Sequence, residues 1–419
     1  MSKAQVLVIG GGFAGLAAVK RLSGRGVDVT LIDKANHHLF QPLLYQVATG
    51  GLSPANIAAP LRSVFRSKQD VTVIKDDIQS IDLADRVAHG RRGQYRYDTL
   101  ILAAGGEISY FGHDEWRQAA PGLKSIADAT AIRERVLSAL ELAESTRGER
   151  LPTFVLAGGG PTGVEMAGAI AELTRQTLKG EFRHIDPAEC KILIADPGDR
   201  LLAGYPEKLS DRAADQLRSM GCEVCLGAAL LDVGEDFAVI GDDEHQRRIP
   251  NAVTVWAAGV SAVKLTRTLA GQFGAELQHG GRLPVEKDLR LPGVADAFAV
   301  GDLASFYDQD GDPLPGVAPV AIQQGRHAAM NALRLAKGKP TKPFKYRDYG
   351  SMAVIGRGAA VADVGGWQLG GYPAWLAWLF IHLIQLVGFQ NRLLVATQWA
   401  WNYFTRNREA RLITARRDS

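Results

Sequence analysis

Cysteine is scarce in this sequence, and so is net charge. Only three cysteines occur in 419 residues. A number this small and odd excludes a disulfide framework and favours a reducing compartment. The formal net charge is +3, and no basic stripe interleaved with aromatic residues is present, so the sequence does not indicate a nucleic-acid-binding protein. Its 46 glycines follow no G-x-y period, which excludes a collagen-like fibre and indicates tight turns instead.

Charge is missing altogether from one long stretch near the C-terminus. Between Val364 and Asn391 no aspartate, glutamate, lysine or arginine occurs, and the stretch includes AWLAWLFIHLIQLVGF. It could form a core helix, a membrane-spanning helix, or a helix that lies on a membrane. Pro373 is typical of a helix start and Gly388 of a helix end. The roughly 15 residues between them, at ~1.5 Å each, are shorter than the about 30 Å of a bilayer core.

We therefore predict two short, weakly amphipathic helices that lie in one leaflet of a membrane. Tryptophan favours the level of the lipid headgroups, and four tryptophans lie in this region: Trp375, Trp378, Trp399 and Trp401. Arginine side chains can meet anionic lipid, and four of them follow: Arg392, Arg406, Arg408 and Arg411.

The N-terminus has the sequence pattern of a dinucleotide-binding unit. A β-branched run, QVLVI (5–9), leads into Gly10-x-Gly12-x-x-Gly15, then a helical segment, then DVTLID, which ends at Asp33. The first glycine permits a tight turn, the second lets the backbone approach a pyrophosphate, and the third lets the helix pack on the strand. The helix N-terminus favours the phosphates. Asp33 is predicted to accept hydrogen bonds from a ribose.

The same pattern returns in the middle of the chain. In TFVLAGGGPTGVEMAGAIAEL (153–173) the glycines are Gly158, Gly160 and Gly163, and the next strand, KILIAD, ends at Asp196. The interval between glycines and acid is longer than usual, and we interpret the extra residues as an extended helix and a loop. Asp186 and Glu189 precede the strand, whereas the ribose role belongs to its end, so Asp196 is predicted to hold the ribose.

Each repeat is followed by a hydrophobic strand that ends in Ala-Ala-Gly, LILAAGG (100–106) and VTVWAAGV (253–260). Two dinucleotide-binding units in one chain indicate electron transfer between two cofactors, one of which is a flavin. A further strand, VADAFAVGDLASF (294–306), places Gly301 and Asp302 at its end. An acid there can bind the ribityl chain of the flavin.

These motifs together resemble the two-dinucleotide-binding-domain flavoprotein superfamily. Four segments, NHHLFQPLLYQVATGGLSP (36–54), GGGPTGVEMAGAIAEL, GVAPVAIQQG (316–325) and YGSMAVIGRGAAVAD (349–363), resemble the type II NADH dehydrogenases in particular. The resemblance covers nearly the whole chain. It implies non-covalent FAD at the first motif, NADH at the second, and electron delivery to membrane quinone without proton pumping. It also implies monotopic membrane association through the C-terminus, at the cytoplasmic face of the bacterial inner membrane, and a homodimer.

The resemblance also assigns residues by position. For FAD it implies Gly10, Gly12, Phe13, Ala14, Gly15, Asp33, Lys34, Pro42, Ile78, Ala104, Gly105, Gly301, Asp302 and Ala318. For NADH it implies Gly158, Gly160, Pro161, Thr162, Gly163, Asp196, Ala258 and Gly259. No metal is expected. Asp196 is expected to disfavour NADPH because a carboxylate repels its 2′-phosphate, although the nearby Arg200 could soften that preference.

Two residues are predicted to serve the reaction itself. Glu165, taken to lie in the first helical turn after the second motif, resembles a family acid near nicotinamide and flavin; alternatively it only complements the helix dipole. Gln323 belongs to the segment APVAIQ (318–323), and a water path beside it, or Glu165, is predicted to relay protons to the quinone. The family commonly has glutamine where this chain has Pro319, and proline removes both an amide side chain and a backbone donor.

Other interpretations remain open at this stage. A sulfide:quinone oxidoreductase would need reactive cysteines beside the flavin, and a soluble NAD(P)H-dependent reductase or a redox-sensing FAD protein would not need the apolar tail. Cys222 and Cys225 form a C-x-x-C on a predicted strand, where residues three apart face opposite sides, so they are not expected to form a redox dithiol. His37 and His38 are not expected to bind metal, and His382 is interpreted as an interfacial or packed histidine.

The predicted organisation is an FAD-binding domain with an NADH-binding domain inserted in it. The FAD-binding domain covers residues 1–115 and 285–345, and the NADH-binding domain covers 150–265. Residues 346–419 are predicted to be the membrane-binding region. The expected fold class is α/β with two Rossmann-like domains and a helical C-terminal region.

Overall fold

The computed structural model describes residues 3–308 and 311–414, and they form two compact units. The first unit comprises 1–39, 58–107 and 260–348, and the second comprises 40–57, 108–259 and 349–419, as far as these residues are described. Two segments of the second unit thus interrupt the first along the chain, and its third segment follows the first unit. Residues 40–57 group with the second unit, although the sequence pattern placed them with the FAD-binding motifs.

A five-stranded parallel sheet is the centre of the first unit. The order across the sheet is Ala297–Ala299, Thr99–Leu102, Gln5–Ile9, Asp28–Asp33 and Val71–Lys75. These strands are rich in valine, isoleucine and leucine because helices and loops cover both faces of a parallel sheet. Residues such as Leu7, Ile32 and Leu102 are almost fully buried in the unit's core.

The remaining elements of the first unit surround this sheet. Its helices are Phe13–Leu22, Leu61–Phe65, Leu265–Ala270 and Ala318–Leu335, with 3-10 turns at His279–Gly281 and Gly301–Leu303. A three-stranded antiparallel sheet consists of Ile78–Asp82, Val87–Gly90 and Gln94–Arg96. Shorter strands are His37–Leu39, Ala58–Pro60, Val260–Ala262, Leu283–Pro284 and Ala304–Ser305.

The second unit repeats the parallel arrangement. Its four-stranded sheet has the order Cys222–Leu226, Lys191–Asp196, Thr153–Ala157 and Ala252–Trp256. An antiparallel sheet of Ala229–Val233, Phe237–Gly241 and Gln246–Pro250 follows, and a second one of Ser351–Gly356, Ala359–Val364 and Trp367–Gly371. Helices of this unit are Leu44–Ala48, Pro54–Ile57, Ile126–Ser145, Pro161–Glu172, Glu207–Ser219, Tyr372–Gln385 and Phe389–Thr405.

The fold class predicted from the sequence is confirmed by these two parallel sheets. The predicted extension after the second glycine motif is also present, because a π-helical turn, Leu173–Thr177, continues the helix Pro161–Glu172 before a loop begins. That helix packs closely on the C-terminal sheet. A methyl group at Gly168 would lie only 1.6 Å from the carbonyl oxygen of Ile355, so glycine is required for this approach.

The apolar stretch near the C-terminus forms two helices, Tyr372–Gln385 and Phe389–Thr405, which we call the tail helices. Pro373 lies at the start of the first, and Gly388, at φ +90°, precedes the second. Within residues 3–308 and 311–414, no helix is long and apolar enough to cross a membrane. The first tail helix packs on the C-terminal sheet of its own unit and buries Ala374 and Trp378.

Candidate functional site

The first glycine turn closes tightly at two of its three glycines. Gly10 has φ +104°, and a Cβ there would lie 2.2 Å from the carbonyl oxygen of Ala103. A Cβ at Gly15 would lie 1.8 Å from the carbonyl oxygen of Gly10, so the helix Phe13–Leu22 lies directly on the turn. Gly12, in contrast, has nothing within 4 Å of its Cβ position. The turn therefore leaves its middle glycine open to a ligand, beside the free N–H groups of a helix start.

Two side chains hold the peptide of Gly11 within this turn. The carboxylate of Asp33 accepts hydrogen bonds from the N–H of Gly11 at 2.5 Å and of Ala35 at 2.6 Å. Burial raises the pKa of Asp33, although these two bonds oppose the rise. The buried His38 lies with Nδ1 2.9 Å from the carbonyl oxygen of Gly11. Because that oxygen can only accept, Nδ1 donates.

The second glycine turn has the same geometry in the second unit. Gly158 has φ +118°, a Cβ at Gly163 would lie 1.9 Å from the carbonyl oxygen of Gly158, and Gly160 has nothing within 4 Å. The helix that follows begins at Pro161, whose missing N–H costs nothing at that position. Asp196 accepts from the N–H of Gly159 at 2.6 Å and of Gly198 at 2.8 Å.

The other residues predicted to bind cofactors are distributed over both units. In the first unit lie Lys34, Ile78, Ala104, Gly105, Gly301, Asp302 and Ala318; in the second lie Pro42, Thr162, Ala258 and Gly259. Gly301 has φ +79°, and its N–H donates to the side-chain oxygen of Gln324 at 2.7 Å. Gln324 is 1% exposed, and the sequence motif had not singled it out.

The amide of Gln323 is engaged with the backbone of Arg347. Its Nε2 donates to the Arg347 carbonyl oxygen at 2.9 Å, and its Oε1 accepts from the Arg347 N–H at 3.0 Å. This pair of bonds attaches the segment after Phe344 to the helix Ala318–Leu335. The predicted role beside a proton path stays a prediction, and in this geometry both ends of the amide serve the fold.

A cavity of about 130 Å³ lies in the second unit, and only residues of that unit line it. Its walls come from the helix Pro161–Glu172, the strand Ser351–Gly356, the segment 45–51 and the tail helices. The residues that matter for its chemistry are polar groups and tryptophans: Tyr45, Gln46, Glu165, Glu172, Trp375, Trp378, Trp399 and Arg408. It is large enough for several waters or one small ring.

Glu165 is the acid in this cavity whose protonation is most perturbed. Removal from water raises its pKa well above the usual range, and a hydrogen bond from the backbone N–H of Val354 opposes the rise only in part. The helix begins at Pro161, so Glu165 lies in its second turn, and its predicted place in the first turn is wrong. Because the dipole effect is confined to the first turn, simple dipole complementation does not explain this residue.

Glu165 also lies near two tyrosines of the same unit. Burial and then the nearby carboxylate of Glu165 raise the pKa of Tyr45 and of Tyr205. Both phenols are therefore neutral donors at physiological pH. Glu165 thus shares this unit with two phenols that can hold a proton themselves.

Two of the tail tryptophans face the protein rather than lipid headgroups. Trp378 is 1% exposed and stacks on His382 with ring centroids 4.1 Å apart. The indole N–H of Trp399 donates to Oε1 of Gln46 at 2.8 Å. The prediction that all four tryptophans lie at headgroup level is therefore wrong for these two. His382 is packed as predicted, with burial lowering its pKa to about 4.

Two of the four tail arginines are likewise unavailable to lipid. Arg408 is paired with Glu172 at 2.6 Å, and Arg411 with Glu181 at 2.6 Å. Residues 406–414, which we call the C-terminal strap, return along the second unit after Arg406 ends the helix at φ +62°. The predicted contact with anionic lipid is wrong for both arginines because carboxylates of the same unit already bind them.

The three cysteines are not reactive thiols. All are reduced, and burial raises the pKa of Cys190 to about 12 and of Cys222 and Cys225 to about 11. Cys222 and Cys225 lie on the strand Cys222–Leu226, as predicted. A redox dithiol needs a lowered pKa, so neither disulfide reduction nor sulfide oxidation is supported. Among the described residues no group of three or more metal-ligating side chains is placed to bind a metal.

Two glycine turns of one geometry, each at the end of a parallel strand in its own unit, define a pyridine-nucleotide-linked redox protein. Comparison with known proteins narrows the class. Residues 4–325 match the pyridine nucleotide-disulphide oxidoreductase family, and residues 349–407 match the NDH2 C-terminal domain. The chain belongs to the pyridine nucleotide-disulphide oxidoreductases and, within them, to the type II NADH:quinone oxidoreductases.

Individual relatives span nearly the whole chain. A type II NADH:quinone oxidoreductase of Mycobacterium tuberculosis is 44% identical over 422 residues, covering 98% of this chain and 90% of that protein. An internal alternative NAD(P)H-ubiquinone oxidoreductase of Arabidopsis thaliana is 27% identical, covering 95% and 83%. The solved structure of NDH2 from Plasmodium falciparum in complex with RYL-552 has a TM-score of 0.88 at 18% identity and covers 99% and 100%, a likeness of fold.

Proposed function

We propose that this chain oxidises NADH and reduces a membrane quinone, without pumping protons, with a non-covalently bound FAD. Family membership supports the activity. The observation that carries it furthest in this chain is the cavity of the second unit, where the carboxyl of Glu165, whose pKa is raised by burial, lies beneath apolar helices. Quinone reduction requires protons delivered in an apolar setting, and this cavity combines both properties.

The first glycine turn fits the pyrophosphate of FAD. The open position at Gly12 and the N–H groups at the start of the helix Phe13–Leu22 face the same turn, and Asp33 is fixed beside them by Gly11 and Ala35. Gly10, Phe13, Ala14 and Gly15 form the turn. Further contacts are proposed from residues of this unit: Lys34, Ile78, Ala104, Gly105, Gly301, Asp302 and Ala318. Pro42 belongs to the second unit, and its contact with FAD stays a prediction. When bound, FAD would supply the redox chemistry, namely acceptance of a hydride from NADH and donation of two electrons to quinone.

The second glycine turn fits the pyrophosphate of NADH in the same way. Gly158 and Gly163 close the turn, Gly160 leaves it open, and Pro161 and Thr162 begin the helix. Asp196, held by two backbone N–H groups, is oriented to accept a ribose hydroxyl pair. Ala258 and Gly259 are proposed at the other edge. The carboxylate repels a 2′-phosphate, which favours NADH over NADPH.

The protein's own chemical contribution is the supply of protons. Two electrons and two protons convert a quinone to a quinol. Burial raises the pKa of Glu165 well above its usual range, which favours a carboxyl that donates a proton to a quinone oxygen and is reprotonated through the cavity. Gln323 belongs to the first unit and is engaged with Arg347, so its role beside a proton path stays a prediction.

The exposed face of the tail helices is proposed to bind one leaflet of a membrane. Phe380, Ile384, Phe389, Leu393 and Phe404 are each at least half exposed, and large exposed apolar patches mark membrane or protein contacts. An amphipathic helix that lies in the interface suits this pattern. The cytoplasmic face of the bacterial inner membrane and a homodimer remain predictions from the family resemblance.

Steady-state kinetics of the purified protein test the proposed function. NADH oxidation is measured with a short-chain quinone and, separately, with a water-soluble dye. We expect both reactions, together with little activity towards sulfide. NADH oxidation by the dye without any reduction of quinone would overturn the quinone assignment and favour a soluble NADH-dependent reductase.

A further inference from the structure

A chain of hydrogen bonds connects the second tail helix to the cavity. The indole N–H of Trp399 donates to Oε1 of Gln46 at 2.8 Å, and Nε2 of Gln46 donates to the hydroxyl oxygen of Tyr45 at 2.8 Å. All three residues line the cavity together with Glu165. Trp399 and Gln46 are 353 residues apart in the sequence, so only the fold brings this chain together.

The donor and acceptor groups of the three side chains determine the direction of each hydrogen bond in this chain. An indole N–H can only donate, so the group of Gln46 that faces Trp399 must be its carbonyl oxygen. The amide nitrogen of Gln46 must then face Tyr45, and it donates. The hydroxyl oxygen of Tyr45 therefore accepts from Gln46, and its own proton is directed to a different acceptor.

The phenol of Tyr45 is in the protonated state that hydrogen-bond donation requires. Tyr45 is 6% exposed, and burial is the largest cause that raises its pKa. The phenol thus remains protonated throughout the physiological range. Its ring is held by an edge-on contact with the buried Trp378, at 6.5 Å between ring centroids, so the hydroxyl has little freedom to turn away.

We propose that Tyr45 donates a hydrogen bond to a carbonyl oxygen of the quinone, and that Gln46 and Trp399 are positioning residues that direct its proton into the cavity. The inference rests on the proposed quinone reduction and deepens it. It gives the second tail helix a further role besides membrane contact. The indole of Trp399 orients the amide of Gln46, and this amide in turn orients the hydroxyl of Tyr45. The cavity therefore recognises its ligand as a planar molecule with carbonyl oxygens.

The test compares Tyr45→Phe and Trp399→Phe with the control Trp367→Phe. Trp367 is 76% exposed and does not line the cavity. Each variant is purified with its flavin, and KM and kcat are measured with a short-chain quinone in detergent and with a water-soluble dye. Tyr45→Phe removes one oxygen and keeps the ring, so the packing against Trp378 is preserved.

We expect Tyr45→Phe to raise the quinone KM about tenfold, the equivalent of one lost hydrogen bond, with dye reduction within about twofold of wild type. Trp399→Phe should raise the quinone KM about threefold, because Gln46 is then free to rotate. The double variant should be no worse than Tyr45→Phe, since Trp399 acts only through the hydroxyl. The control should match wild type.

Additive losses in the double variant, or a quinone KM within about twofold of wild type in both single variants, would overturn the inference. Such results leave the proposed function intact if wild-type protein still reduces quinone; absence of quinone reduction in wild type would instead overturn the proposed function. If Tyr45→Phe lowers flavin content or the melting temperature, the comparison of Trp399→Phe with Trp367→Phe decides.

Discussion

Arg408 and Glu172 form an ion pair at 2.6 Å that joins the C-terminal strap to the helix of the second glycine motif. Both side chains are mostly shielded, at 12% and 17% exposure, and Arg408 also donates to the carbonyl oxygen of Ala169 at 3.0 Å. Glu172 lies seven residues, two helical turns, beyond Glu165 on the same face of the helix. The strap and the cavity acid are therefore supported by one helix.

Arg408→Gln should destabilise the protein by about 2 kcal/mol, because it leaves a shielded carboxylate without its charged partner. Thermal unfolding with bound flavin, followed by circular dichroism, measures the effect. Arg406→Gln is the matched control, since Arg406 belongs to the same strap and is exposed. Equal melting temperatures for the two variants would show that the pair adds nothing to stability.

Glu165→Gln should reduce quinone turnover about 100-fold, as expected for loss of a general acid, while dye reduction changes little. It should also stabilise the protein at neutral pH. The pKa of this carboxyl is higher in the folded state than in the unfolded chain, so wild-type stability falls as pH rises above about 4.3, and glutamine does not pay this cost. Melting temperatures at pH 4.5 and pH 7.5 measure the difference.

Glu141→Gln serves as the control for that comparison, because Glu141 is an exposed glutamate on the helix Ile126–Ser145. Its melting temperature should follow wild type at both pH values. A Glu165→Gln protein that is less stable than wild type at pH 7.5 would contradict the raised pKa of this acid.

His382 should make stability sensitive to mild acid. Burial lowers its folded-state pKa to about 4, below the usual value of about 6.5 in an unfolded chain. The unfolded state therefore binds more protons between these two values, so stability is lost as pH falls from about 6.5 to 4. His382→Gln should flatten this part of the profile of melting temperature against pH. An unchanged slope in the variant would refute the buried, neutral state.

Asp196→Ser should relax the preference for NADH. Removal of the carboxylate takes away both the ribose acceptor and the repulsion of a 2′-phosphate, so KM for NADH should rise about tenfold and the ratio of catalytic efficiencies for NADH and NADPH should fall. The exposed neighbour Asp199 provides the control variant Asp199→Ser. If the ratio for Asp196→Ser equals that of wild type, Asp196 does not select the nucleotide.

Membrane binding should depend on the exposed phenylalanines of the tail helices. Phe389 and Phe404 are 80% and 81% exposed, and the double substitution by serine should lower partition onto vesicles of phosphatidylethanolamine and phosphatidylglycerol about tenfold or more. Truncation is a poorer test because Trp378 of the tail is a buried part of its unit. The control is Leu142→Ser, which removes an exposed apolar side chain from a helix distant in sequence from the tail helices. If wild type and both variants sediment equally with vesicles, the exposed phenylalanines of the tail helices do not contribute to membrane binding.

The sequence was sufficient for the parts of the site that a local pattern encodes. Gly10 and Gly15, like Gly158 and Gly163, are required by close backbone approaches that no other residue permits, and each acid at a strand end follows directly from the alternation of strand and helix. Such features depend on a few neighbouring residues, and the spacing of glycines reports them.

The cavity could not be predicted in the same way. Trp399 meets Tyr45 and Gln46 only through the fold, and no spacing in the sequence relates it to them. The tail tryptophans were assigned to lipid because the tail helices are only weakly amphipathic, so the sequence did not show which face Trp378 and Trp399 occupy. The structural roles of His38 and Gln324 were not predicted either, since each acts by a single hydrogen bond to a backbone atom.

Absorbance spectroscopy of the purified protein under anaerobic conditions tests the proposed activity most directly. The protein should be yellow, one equivalent of NADH should bleach the flavin band, and a short-chain quinone should restore it with formation of one quinol per NADH consumed. A flavin that NADH bleaches but quinone does not restore would contradict the assignment of this chain as an NADH:quinone oxidoreductase.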